Sequence, residues 1–129
     1  MHKTSIGQKI GLIAGGLVLF LILLEIGLRL GGFIFLSLQE CRNRVSFLQK
    51  GEYRIMCLGE STTAFGGKNS WPAQLEEILN KSNIGVQLTI INKGVPSVNT
   101  SYVLSQLENN LLRYEPDLVI AMIGINDSG

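Results

Sequence analysis

Three short apolar runs punctuate the second half of the chain, at 55–58, 86–91 and 118–123. The first and third lack polar alternation, the second carries Gln87 and Thr89, and each is followed by a polar, glycine-bearing stretch. Runs of that length bounded by glycine read as strands buried on both faces, the condition of a parallel sheet. Between them the apolar spacing is helical. Trp71, Leu75, Ile78 and Leu79 fall on one face, with Ser70 as N-cap and Pro72 in the first turn. Val103, Leu104, Leu107 and Leu111 predict a second buried stripe, with Asn99 or Thr100 as its cap. Loops are expected at 63–69, around Gly66 and Gly67, and at 92–97, around Gly94 and Pro96. Residues 81–85 end the first helix and 115–117 break the chain before the last run. Strand, helix, strand, helix, strand implies parallel strands joined by right-handed crossovers. The first strand is expected at the centre, in the order 2-1-3, with an apolar outer edge on the third strand.

The N-terminal pattern is different. Residues 10–24 carry no charge, and apolar character continues to Leu38 with interruptions only at Glu25 and Arg29. About 20 mainly apolar residues suffice to span a bilayer. A cleaved signal peptide competes with an uncleaved anchor. The absence of a small-residue cleavage pattern favours the anchor. Glu25 and Arg29 are four apart and share a helix face near one end of the span. Lys3 and Lys9 favour a cytoplasmic N-terminus, whereas Arg42, Arg44 and Lys50 oppose it. The expected organisation is a tail at 1–9, a transmembrane anchor at 10–38, a juxtamembrane connector at 39–52 and a domain at 53–129.

Composition narrows the chemistry. A net charge of +1 gives no electrostatic footprint for nucleic acid. Cys41 and Cys57 form no disulfide framework, and His2 is the only histidine, so no metal-ligand pattern exists. Phosphate-loop and dinucleotide glycine patterns are both missing, and no cofactor is implied.

The candidate chemistry lies after the strands. Ser61, Gly94 and Asn126 each follow a different predicted strand, and the topology brings all three to one sheet edge. Acyl transfer needs a nucleophile and donors for a tetrahedral oxyanion. A serine, a glycine N–H and an asparagine amide are suitable parts. The plainer alternative is that Ser61 and Thr62 only begin a helix.

Three blocks here resemble those of the SGNH, or GDSL, hydrolase family: Gly59-Glu60-Ser61, then Gly94 after Asn92-Lys93, then Gly124-Ile125-Asn126-Asp127. The resemblance covers residues 53–129. It implies an α/β fold: behind the transmembrane helix, the first part of a flavodoxin-like parallel sheet with flanking helices, incomplete at the C-terminus. It implies Ser61 as nucleophile, with the Ser61 and Gly94 N–H groups and the Asn126 side chain as oxyanion hole, and Asp127 as a structural neighbour. The activity implied is ester hydrolysis or acyl transfer through an acyl-serine, on an acyl-ester substrate such as a glycan or lipid. The chain departs from the family in two ways. Glu60 stands where aspartate is usual, and the Asp-x-x-His block is absent, so this chain alone is expected to be inactive. A non-catalytic, membrane-anchored envelope-binding module and an inactive gene fragment are the alternatives. A reporter fused after Gly129 is expected outside the cytoplasm, read by protease accessibility. A protected, cytoplasmic reporter would reverse that topology.

Overall fold

The computed structural model describes residues 5–48, 53–82 and 85–127. His2, Lys3, Lys50 and positions 83–84 of the expected helix stop lie outside the described residues. The chain divides into two compact units, Met1–Leu38 and Gln39–Gly129.

The first unit is helical. Helix α1 (Ile6–Leu48) is long and apolar enough over Ile6–Val45 to cross a membrane, and its large apolar side chains there, apart from half-buried Phe35, are exposed. Arg29 Nε donates to Glu25 Oε1 at 2.6 Å, so the pair does share a face. The helix continues through the first part of the stretch read as connector, to Leu48.

The second unit is built on three parallel strands, β1 (Tyr53–Gly59), β2 (Leu88–Gly94) and β3 (Leu118–Met122), in the order β2-β1-β3. This is the expected topology. Successive β1 side chains enter opposite cores, which is why the run shows no polar alternation. Met56 and Leu58 pack with Ile91, Val103 and Tyr114. Ile55 and Cys57 pack with Leu88 and Ile90, under Trp71, Leu75 and Leu79. Helix α3 (Trp71–Lys81) covers the second core, capped as expected by Ser70, whose hydroxyl accepts from Ala73 N–H. Ile78 is exposed, because the inward arc of α3 is displaced toward buried Pro72.

Three expectations shift. The loop at 63–69 overlaps the end of helix α2 (Ser61–Ala64) and contains a 3₁₀ turn (Gly67–Asn69). Strand β2 begins later and runs through Asn92 and Lys93 to Gly94, which pairs opposite Gly59. The second helix is two, α4 (Thr100–Ser105) and α5 (Leu107–Tyr114), with Asn99 as cap. The interruption at Gln106 rotates the inward face. Val103, Asn110 and Tyr114 are buried, while Leu104 and Leu111 of the expected stripe are 55% and 38% exposed.

The outer edge of β2 is sealed by side chains at every second residue. Asn80 exchanges two hydrogen bonds with the Leu88 backbone, at 2.9 and 3.0 Å. Glu76 accepts from Ile90 N–H at 3.0 Å. Asn43 exchanges two with Asn92, and Gln39 donates to the Asn92 and Gly94 carbonyls. An uncovered strand edge invites pairing with another chain, and these groups occupy it. The β3 edge differs: Leu118, Val119 and Met122 are exposed there.

Burial, and then the Glu76 carboxylate, push the Cys57 thiol from 9.0 up to about 12. Burial and a hydrogen bond to Glu40 also raise the Tyr114 phenol. Both groups stay protonated when folded at a pH where they ionise unfolded. Their contribution is therefore whole below pH 9.0 and falls as pH rises toward 12. Denaturant midpoints should decline across that window, and Cys57→Ser should decline less steeply. Identical slopes would disprove the Cys57 contribution.

Candidate active site

Strand β1 ends at Gly59, and the chain turns at once into α2. Thr63 N–H and Ala64 N–H donate to the Glu60 carbonyl at 3.1 and 3.0 Å, so the turn is closed one residue before Ser61. Ser61 is the first helical residue and is partly exposed. The first N–H groups of a helix have no intrahelical acceptor, which leaves the Ser61 amide at the mouth of the turn.

Two glycines make this packing possible. A Cβ on Gly59 would stand 2.0 Å from Thr63 Oγ1 and 2.8 Å from the Met122 carbonyl. A Cβ on Gly94 would stand 2.3 Å from Ala64 N. The end of β2 thus lies directly against the backbone of α2. Asn92 binds the two together: its Nδ2 donates to the Thr63 carbonyl at 2.8 Å and its Oδ1 accepts from Gly94 N–H at 2.9 Å. The Gly94 amide, expected to face an oxyanion, is engaged by Asn92 here.

The third loop is tied to the first by Glu60. This residue has no exposed surface. One carboxylate oxygen accepts from Gly124 N–H and the other from Asn126 N–H, each at 2.9 Å. Gly124 adopts φ 104°, a left-handed conformation that costs glycine little. The Asn126 Nδ2 donates to the Val98 carbonyl at 2.9 Å, and Asp127 Oδ1 accepts from Thr100 N–H at 2.8 Å. Both contacts join the third loop to the segment after β2.

Asn126 lines an open cleft of about 440 Å³ with Ser97, Val98, Asn99 and Tyr102. Ser97 holds φ 59°, an uncommon backbone for a non-glycine residue. Ser61, Gly94 and Asn126 all follow strand ends at one sheet edge. Hydrogen bonds link the neighbours of Ser61 to both other loops. The cleft itself gathers Asn126 and the 97–102 segment, and neither Ser61 nor Gly94 lines it.

Sequence reasoning did not find the roles of Glu60, Asn92 or Ser97. Glu60 was visible only as a departure from aspartate. Asn92 lay in an expected loop, although an asparagine two residues before a glycine is a signal for a local side-chain-to-backbone bond.

The sequence profile of the GDSL-like Lipase/Acylhydrolase family matches residues 57–129. The chain is 35% identical over 85 residues to an acetylxylan esterase of Xylanibacter ruminicola, an alignment covering 58% of this chain and 17% of that protein. Its fold is similar to the crystal structure of AlinE4, an SGNH-hydrolase family esterase. The TM-score is 0.52 and the identity 31%, over 58% of this chain and 41% of that one. The chain thus spans less than half the length of either relative.

Glu60→Gln turns an N–H donor toward the amide of Gly124 or Asn126. Losing an acceptor for a part-buried donor costs at most about 1–3 kcal/mol, and a loss within that range is expected in denaturant unfolding. An unchanged midpoint would show that Glu60 does not hold the third loop.

Proposed function

Because this chain belongs to the GDSL-like lipase/acylhydrolase family, we propose that it supplies the nucleophile and oxyanion donors of a membrane-anchored serine esterase or acyltransferase. The supporting observation is Glu60. The residue beside Ser61 grips both amides that flank Ile125, and so fixes Asn126 relative to the nucleophile turn.

In the proposed reaction Ser61 Oγ attacks the ester carbonyl carbon and its proton passes to a general base. The carbonyl π electrons move to oxygen, forming the oxyanion. Collapse expels the alcohol, which takes the proton back, and leaves acyl-Ser61. Water then releases the acid, or an acceptor hydroxyl takes the acyl group. A serine hydroxyl is a poor nucleophile without such a base. The base is proposed to be the histidine of an Asp-x-x-His block, which residues 53–129 do not contain.

The Ser61 N–H and Asn126 Nδ2 are the first two oxyanion donors. An amide nitrogen carries two hydrogens, and Val98 accepts one of those on Asn126, leaving the other for substrate. Gly94 is the proposed third donor, and its N–H must turn from Asn92 Oδ1 to serve. A short acyl ester on a polysaccharide is the proposed substrate class, on the likeness to an acetylxylan esterase. The apolar α1 supports anchoring, with the domain proposed outside the cytoplasm.

The test uses the protein expressed from the complete gene. A fluorophosphonate should label it at Ser61, and Ser61→Ala should abolish labelling. Asn126→Ala removes the side-chain donor but keeps the backbone bond to Glu60. It should lower kcat about 10²–10³-fold with KM little changed, the usual cost of one oxyanion donor. Full labelling of Ser61→Ala would disprove the nucleophile assignment.

A further inference from the structure

Helix α1 ends in residues that belong to the second unit, and two of them are built into it. Gln39 is 5% exposed and Asn43 4%, although Cys41, Arg42 and Arg44 around them are exposed. The two are four apart, on one face. Asn43 Oδ1 accepts from Asn92 N–H at 3.2 Å and Asn43 Nδ2 donates to the Asn92 carbonyl at 2.7 Å. Gln39 Nε2 donates to the Asn92 carbonyl at 3.0 Å and the Gly94 carbonyl at 2.8 Å. Both amides therefore hold the backbone of the residue whose own side chain bridges Gly94 N–H and the Thr63 carbonyl. Thr63 is two residues from Ser61, in the same short helix.

We infer that Asn43 and Gln39 are positioning residues for the nucleophile turn, acting through Asn92. The inference rests on the reading of Ser61 as nucleophile. The same chemistry occurs at the far end of β2, where Asn80 exchanges two hydrogen bonds with Leu88. That end carries none of the candidate site. Asn80 is thus a matched control: it seals the edge without reaching Asn92. If edge-sealing were the whole role, removing either amide would affect stability and leave the reactivity of Ser61 alone.

The experiment compares Asn43→Leu, Gln39→Met and Asn80→Leu in the protein expressed from the complete gene. Fluorophosphonate labelling of Ser61 is followed against reagent concentration, at a temperature below every variant's unfolding transition. The maximal labelling rate reports the placement of the nucleophile, and the half-saturating concentration reports reagent binding. Asn43→Leu and Gln39→Met should lower the maximal rate about tenfold to a hundredfold, since small misplacements of a reacting group are costly. Their half-saturation should stay within about twofold of wild type, the mark of an effect on reaction rather than on binding. Asn80→Leu should keep the wild-type rate. If Asn43→Leu does not fold, Gln39→Met alone decides. Wild-type rates in the helix variants, or an equal fall in Asn80→Leu, would overturn the inference and leave the nucleophile reading standing. A wild-type protein that fails to label at Ser61 would overturn both.

Discussion

The candidate site depends on one buried carboxylate. Glu60 follows the central strand, precedes the candidate nucleophile and accepts from two amides of the third loop. A carboxylate without exposed surface is costly unless its oxygens are hydrogen-bonded. The turn at 124–126 supplies both donors, from Gly124 and Asn126 N–H. The two bonds tie the first and third loops together. Asn126 enters the cleft because its backbone is held in this way, while its side chain reaches back to Val98.

The loop after β2 is held by a different device. Its close approach to α2 requires glycine at position 94, because the α2 backbone occupies the space of a side chain. Asn92 then supplies the directional bonds that packing alone lacks. Behind Asn92 stands the sealed edge of β2. Two helices each present a pair of residues four apart, Glu76 and Asn80 from α3, Gln39 and Asn43 from α1. Each pair matches the two-residue period of an edge strand, since one helical turn advances about as far as two strand residues. The end of α1 therefore serves the domain directly, beyond whatever its apolar part does.

Much of the architecture followed from local pattern. The apolar run at 55–58, without alternation, marked a strand buried on both faces, and the two cores on either side of β1 show why. Ser70 and Asn99 announced helix starts, because a cap is a bond between neighbours in sequence. Ser61, Gly94 and Asn126 could be assigned to one sheet edge because parallel connectivity leaves no other arrangement of their loops.

Tertiary structure decided the rest. It carried β2 on to Gly94, since the pairing of Asn92 with Cys57 and its bonds to Asn43 outweigh the loop character of Asn92-Lys93-Gly94. It rotated the inward face at Gln106, exposing Leu104 and burying Tyr114. It engaged the Gly94 amide with Asn92 and made Glu60 a strut between loops 64 residues apart. Periodicity and caps are written in neighbouring residues and can be read there. A hydrogen bond between distant loops leaves no periodic trace, and only the folded chain shows which donor meets which acceptor.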